Sequence, residues 1–347
     1  MLREKTTRAL GVKKLAVCLV AGIVMGPAVE GRAWADAKAE PPTQGPAIKT
    51  TRLVLRAPAP TAPAQALRLL PGTAEMTDSD AGPLFDKIAQ ALPAKPDMTN
   101  LDNLTTQPVD QLSLADAETL LRASAPILEQ LHQAARCRSC ELQAAPLEEM
   151  TPNGYQWRYL AFLLNLETHW QMARGQYPAA VETLRTGFAT ARHLAHGPTT
   201  SQSLVGIGMA ARMCRDVELF AQQPGAPSLL TALAAMPRPF LNLEEQMASE
   251  VVDEDTRQRI NLLTGRVDRH LASLQCLEAL RLYAAGHNNT LPQALSQITD
   301  VTIPVDPLTG TSFVYRREAD KAFLAAPVPA GGRARDALQY ELSFKAD

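Results

Sequence analysis

Proline spacing sets the first limit on what this chain can fold into. Between residues 36 and 108 prolines recur every few positions. Each proline lacks a backbone donor and clashes with the preceding helical turn, so this density excludes a long helix and favours an extended path. We therefore predict an extended arm over 36–110, with short helical turns at 66–70 and 83–92 and one short edge strand at Leu53-Val54-Leu55.

The middle of the chain shows helical periodicity instead of dense prolines. Apolar residues recur at helical spacing through 111–265, which predicts an antiparallel, repeat-like helical domain of ordinary size. Pro126 is expected to split the first run. The stretch 155–174 is apolar on two sides, so neighbours must cover both. Gly206-x-Gly208 has no strand before it, and we interpret it as close helix packing rather than a phosphate loop.

The last part of the chain, 266–347, changes from helical to alternating periodicity. A charged helix is expected to begin at Asn242 and end near Leu263, and a further helix to run from Val267 to Gly286. Alternation at 338–345 is the clearest strand pattern in the sequence. With candidate strands at 312–317 and 321–326, it predicts a small antiparallel sheet. The expected fold class is α+β, mainly α.

The N-terminus has the features of a secretory signal. Five basic residues precede an apolar run at 15–25 that is too short to span a bilayer comfortably, and Ala33-Trp34-Ala35 offers a cleavage site. We predict a signal peptide at 1–35, a mature start at Asp36 and a periplasmic or secreted location. The alternative is a retained membrane anchor.

Cleavage would change the charge of the chain. Residues 1–35 hold six basic and two acidic side chains, so their removal moves the formal charge from -2 to -6. Proteins that bind nucleic acid usually carry an excess of basic residues, and this chain does not. We therefore expect no nucleic-acid partner. No other stretch has 18 consecutive apolar residues, so we expect no membrane span after signal cleavage.

Four cysteines remain in the mature chain, and an oxidising compartment would allow three pairings among Cys137, Cys140, Cys214 and Cys276. The spacing does not choose between the pairings. Cys137 and Cys140 form a C-x-x-C pair beside arginines that would favour a thiolate. The βαβ setting of redox pairs is absent, and Glu141 replaces the histidine of haem attachment. We interpret the pair as a candidate structural disulfide or as unpaired thiols, with a redox role as the alternative.

The segment Ala173–Leu184 resembles the turn and second helix of a tetratricopeptide repeat. A glycine ends the first helix, an aromatic residue packs in the turn, and small Ala180 leaves room for Leu184. The resemblance covers about one repeat. Glu167 and Thr168 replace the large and small apolar residues of the pattern, and no second copy follows at the 34-residue period. It implies one antiparallel helix pair rather than an array.

A second resemblance involves residues 279–295, 304–310 and 313–317. These segments resemble the soluble end of major type II secretion pseudopilins, in which a Leu-Pro-x-x-Leu turn follows a helix and an Asp-Pro-x-x-Gly loop opens a short sheet. The transmembrane helix that builds the pseudopilus is missing, and Asn288-Asn289 stand where glycine is usual. Asparagine tolerates the left-handed conformation. Calcium binding in that family implies Asp306 as a candidate metal ligand, although turn chemistry explains this residue more simply.

The whole layout is also similar to a group of uncharacterised secreted bacterial proteins of planctomycete type. These combine a signal, a proline-rich segment with an Ala-Leu-x-x-Leu-Leu-Pro motif, a helical middle and this tail. The motif corresponds to residues 66–71 here. This resemblance implies an architecture and no activity.

Two further clusters carry candidate chemistry. His193 and His196, at i and i+3, could share a metal ion, although a histidine in a last helical turn also suits the helix dipole. Glu250, Asp253 and Glu254 share a predicted helix face and could bind calcium or act as an acid/base pair. The alternative is a solvated surface with i, i+4 ion pairs to arginines.

Motif searches indicate no reaction and no cofactor. There is no G-x-S-x-G, no H-E-x-x-H and no glycine-rich phosphate loop. We therefore expect an exported, non-catalytic interaction or scaffold protein whose partner is another envelope protein. Two alternatives stay open: a metal-dependent or acid/base hydrolase using the carboxylate cluster, and an accessory protein related to pseudopilins.

Overall fold

A computed structural model describes residues 48–59, 67–93, 96–142, 155–249 and 252–345. The predicted signal peptide lies outside the described residues. The described chain is mainly helical and ends in a small sheet with antiparallel strands, which confirms the predicted α+β class. None of its helices is both long and apolar enough to cross a membrane.

The helices are α1 (Gly82–Ala91), α2 (Met98–Thr106), α3 (Leu114–Ala123), α4 (Ala125–Ala134), α5 (Tyr155–Ala173), α6 (Tyr177–Ala195), α7 (Thr200–Phe220), α8 (Leu230–Ala234), α9 (Glu244–Ser249) and α10 (Glu254–Gly286). The strands are β1 (Thr51–Arg56), β2 (Thr77–Asp80), β3 (Cys137–Ser139), β4 (Val314–Glu318), β5 (Lys321–Ala326) and β6 (Leu338–Lys345).

These elements form two compact units. Within the described residues, unit 1 takes Leu67–Asp216 and Met236–Thr264, and unit 2 takes 48–59, Val217–Ala235 and 265–345. Unit 1 therefore includes part of the predicted arm, where α1 confirms the turns predicted at 83–92. The helical turn predicted at 66–70 is wrong for 67–70, which form no helix before Pro71.

Unit 1 consists mainly of helices, and the ends of these helices follow the sequence. Ser124 separates α3 from α4, with Pro126 in the first turn of α4, as the proline pattern predicts. The α5–α6 connection turns at Gly175, whose φ of 67° favours glycine. Leu160, Leu163 and Leu166 are fully buried, which confirms that α5 is covered on more than one side.

Unit 2 contains a four-stranded sheet in the order β1-β6-β5-β4. β4, β5 and β6 are antiparallel neighbours, and β1 pairs parallel to β6 with Leu53 opposite Leu342. The strands predicted at 53–55, 321–326 and 338–345 are confirmed. Alternate residues of β1, β5 and β6 are buried, including Leu55 and Leu324, so one face of the sheet belongs to the core.

The C-terminal helix differs from the prediction. The helix capped by Asn242 is only α9, whose Glu244 N–H bonds the Asn242 Oδ1 at 3.2 Å. The two helices predicted at 242–263 and 267–285 are replaced by one continuous helix from residue 254, so the expected break was wrong. Gly265 lies inside this helix, and a Cβ at that position would overlap the end of the Leu308 side chain. The helix ends at Gly286 as predicted.

Candidate functional site

One face of α4 lines an open groove of about 550 Å³ in unit 1, which we call the α4 groove. The lining residues of α4 recur at helical spacing: Ala125, Leu128, Glu129, His132, Gln133 and Arg136, the last just beyond the helix. Side chains of α3 and α5 form its two walls. The groove therefore follows α4 along about three turns.

His132 is held in the groove by both ring nitrogens. Its Nδ1 lies 2.7 Å from the Thr186 hydroxyl, and its Nε2 lies 3.2 Å from Glu167 Oε2. The same carboxylate oxygen lies 3.3 Å from the Thr183 hydroxyl. The side chains of His132 and Glu167 are 27% and 16% exposed, so an imidazole and a carboxylate are fixed at the groove surface.

The two arginines of the groove are already paired. Arg122 Nη2 lies 2.8 Å from Glu118 Oε1, and Arg136 Nη2 lies 3.0 Å from Glu182 Oε1. Burial alone would raise the pKa of Glu182, but hydrogen bonds from Arg185 and Arg136 hold that pKa below its usual value. Carboxylates of the protein thus balance both guanidinium groups.

Two carboxylates of the groove lack such a partner. Glu129 accepts a hydrogen bond from the Gln133 side chain at 3.3 Å, and Glu167 contacts His132. Within the described part of the chain, neither lies within 4.0 Å of a lysine or arginine nitrogen. Among the residues that line the groove, the charge left uncompensated is therefore negative.

The floor of the groove is apolar. Leu121 and Leu128 contribute side chains that are 8% and 6% exposed, and Trp170 adds its indole ring. Arg174 lies over that ring with its guanidinium carbon 4.6 Å from the centroid. The indole Nε1 is buried and finds no hydrogen-bond acceptor among the described residues. An apolar floor with charged walls is typical of a binding groove.

The groove does not present a usable nucleophile at its histidine. Thr186, His132 and Glu167 are connected in the order of a nucleophile, a base and an acid. Thr186, however, is only 2% exposed, and its hydroxyl also bonds the Glu182 carbonyl at 3.1 Å. A hydroxyl this deeply buried cannot reach a substrate in the groove.

A different polar cluster is sealed in the core of unit 1. Asp216 is 1% exposed and contacts His169 Nε2 at 3.2 Å and the Asn165 amide. Arg212 donates to Asn165 Oδ1 at 3.0 Å, and burial lowers the pKa of Arg212 to about 10. Each member contacts another member, but His169 Nδ1, Asp216 Oδ2 and Arg212 Nε are buried without a hydrogen-bond partner among the described residues, so the network is only partly satisfied.

The histidines predicted as metal ligands have separate protein partners. His193 Nε2 donates to the Ala134 carbonyl at 3.1 Å, while His196 Nδ1 lies 2.7 Å from the Arg192 carbonyl in its own helix. Burial lowers the pKa of His193 to about 4. Among the described residues, no three His, Cys, Asp or Glu side chains are grouped to hold a metal ion.

Two of the acidic candidates, Asp253 and Glu254, lie at the start of α10. Glu250 is outside the described residues. Asp253 accepts a hydrogen bond from Thr256 N at 2.7 Å, as a helix cap does. Glu254 contacts Arg257 at 3.4 Å and Gln258 at 3.0 Å, and both acids are exposed. These are the contacts of a solvated helix surface.

Asp306 is buried in unit 2 and faces an arginine. Its carboxylate accepts hydrogen bonds from Arg269 Nε at 2.8 Å, Arg269 Nη2 at 2.7 Å and the Thr309 hydroxyl at 2.7 Å. Burial alone would raise the pKa of Asp306, but these bonds hold it below its usual value. The Arg269 guanidinium therefore supplies the positive charge that balances the Asp306 carboxylate.

Cys137 and Cys140 are unbridged thiols in the structure. Burial raises the pKa of Cys140 to about 12, which opposes the thiolate expected from the neighbouring arginines. Those arginines are paired elsewhere, Arg138 with Asp78 at 2.9 Å and Arg136 with Glu182. Each positive charge is thus balanced by an acid.

Sequence reasoning missed the residues that form the groove. His132, Gln133 and Arg136 continue the helical stripe of α4 with polar side chains, and this pattern is readable in the sequence. Glu167 was noticed only as a departure from the tetratricopeptide pattern. That departure places a carboxylate at the wall of the groove.

No known family model, curated protein or solved structure matches this chain.

Proposed function

We propose that this is an exported, non-catalytic interaction protein of the cell envelope, and that the α4 groove binds a segment of another envelope protein. The observation that carries the proposal is the open groove itself, with an apolar floor between charged walls and no exposed nucleophile at its histidine. The export part rests on the N-terminal signal pattern.

The size of the groove suits a short segment. The α4 stripe runs from Ala125 to Arg136, nearly all of it within the helix, and covers roughly 16 Å at 1.5 Å per residue. An extended segment of about five residues, or about three turns of helix, has this length. Recognition of this kind relies on a few anchoring side chains in an apolar groove.

The experiment places a photo-crosslinking amino acid at Gln133, which is exposed in the groove. The full chain is expressed in its own envelope, and adducts are identified by mass spectrometry. We expect one reproducible adduct from Gln133. Substitution Ala125→Trp, which fills the groove, should abolish this adduct. Ala123→Trp, at an exposed position outside the groove, should leave it intact.

Two results would overturn the proposal. The first is the absence of any adduct from Gln133 while the protein is present and folded. The second is an adduct that persists in full with Ala125→Trp, because binding would then not require the groove.

A further inference from the structure

We infer that the ligand of the α4 groove is a segment with a lysine or arginine beside an apolar residue. This inference rests on the proposed function and adds the chemistry of the partner. It comes from the balance of charges in the groove and from the position of those charges relative to the apolar floor.

The charge balance disfavours the groove arginines as anchors for an acidic ligand. Arg122 and Arg136 each have a carboxylate within 3.0 Å. An acidic segment would have to compete with Glu118 and Glu182 for them. It would also approach Glu129 and Glu167, which have no lysine or arginine partner among the described residues. Like charges brought together this way disfavour binding.

Glu167 gives the strongest preference for a cation. Its side chain is 16% exposed and already partly removed from water. A ligand that covers it without a positive charge would strip the remaining water and leave a buried carboxylate with only His132 and Thr183 as partners. A basic side chain replaces that water with a charge-assisted hydrogen bond.

Glu129 extends this preference to the groove rim. It lies one turn before Gln133 on α4, and its only described side-chain partner is the neutral amide of Gln133. An exposed carboxylate of this kind steers a basic ligand toward the groove and contributes to its orientation.

The apolar part of the ligand follows from the floor. Leu121, Leu128 and Trp170 present apolar surface beside these carboxylates. Arg174 already lies over the Trp170 ring, so the stem of a lysine or arginine in the ligand would pack chiefly on Leu121 and Leu128. A segment that combines a basic and an apolar side chain thus matches both features.

The test uses three capped eight-residue peptides of serine, alanine and leucine that differ at one central position: lysine, its neutral analogue norleucine, or glutamate. Each carries a fluorescent label, and binding to the folded chain is followed by fluorescence anisotropy. We expect the lysine peptide to bind about tenfold more tightly than the norleucine peptide, and the glutamate peptide to bind most weakly. Added salt should reduce the lysine preference.

Variants connect the preference to the two carboxylates. Glu129→Gln together with Glu167→Gln should remove the preference for lysine, while Glu254→Gln with Asp255→Asn, at exposed acids of α10, should keep it. Glu129→Lys should shift the preference toward the glutamate peptide. Because Glu167 has internal contacts, Glu129→Gln alone is measured as well: at this exposed residue it should weaken the lysine preference without disturbing the contacts of Glu167.

Equal affinity for the lysine and norleucine peptides would overturn the inference, and so would the absence of saturable binding of the lysine peptide up to about 1 mM. These failures differ from failure of the proposed function. If peptides bind equally and Ala125→Trp blocks them all, the groove still binds segments and only the charge preference is wrong. Loss of the Gln133 adduct instead removes the proposed function.

Discussion

His193 carries a prediction at the scale of a single residue. Its imidazole packs edge-on to Phe85, with ring centroids 6.5 Å apart, and donates to the Ala134 carbonyl. Burial lowers the pKa of His193 to about 4, below the ordinary value of 6.5. The unfolded chain therefore takes up this proton at a higher pH than the folded chain. The resulting stability is complete above pH 6.5 and is lost as the pH falls toward 4.

When the pH falls from 7 to 5, the titration of His193 alone should lower the free energy of unfolding by about 2 kcal/mol. We expect His193→Gln, which keeps a donor for Ala134, to remove that part of the pH dependence in urea unfolding followed by circular dichroism. His196→Gln, at an exposed residue, is the matched control. An unchanged slope in His193→Gln would show that His193 is not the group that titrates.

Gly206 carries a prediction at the scale of helix packing. A Cβ at this position would lie 2.5 Å from both the Ala191 carbonyl oxygen and the Ala195 nitrogen, which belong to the backbone of α6. Backbone cannot rotate away as a side chain can. Gly206→Ala should therefore force α6 and α7 apart and lower the unfolding free energy by on the order of 3 kcal/mol.

The matched control for this change is Gly286→Ala, because nothing lies within 4 Å of a Cβ there at the end of α10. Its free energy of unfolding should stay within about 1 kcal/mol of the parent, on the stabilising side. The free energy of unfolding of both variants is measured by chemical denaturation. Equal stability of Gly206→Ala and the parent would contradict the close approach of α6 and α7.

Sequence periodicity explains which elements could be predicted. The α3–α4 break, α5, α7 and β6 follow from proline position and local apolar spacing, which act over a few residues. β2, with the sequence Thr-Asp-Ser-Asp, has no apolar alternation, and its pairing with β3 joins residues about sixty positions apart. The same holds for the groove: the α4 stripe is local, whereas the contact of Glu167 with His132 depends on how α5 packs against α4.

Export is a prediction for the whole molecule, because it decides which chain folds and with what charge. Cleavage after Ala35 would leave a chain that begins Asp36-Ala37-Lys38 with a formal charge of -6. Such a charge makes the whole protein more attractive to a basic partner, in the same sense as the α4 groove. Retention of residues 1–35 would instead keep the charge at -2 and attach the chain to the membrane.

We expect N-terminal sequencing of the protein from a periplasmic or culture fraction to begin at Asp36. Signal peptidase needs a small residue before the cut, so Ala35→Phe should leave the precursor uncut and in the membrane fraction. Ala39→Phe, four residues into the mature chain, should be processed normally. Recovery of the parent chain with Met1 intact in the membrane fraction would favour the retained anchor. The α4 groove would then act from the membrane surface, on a chain whose formal charge is -2.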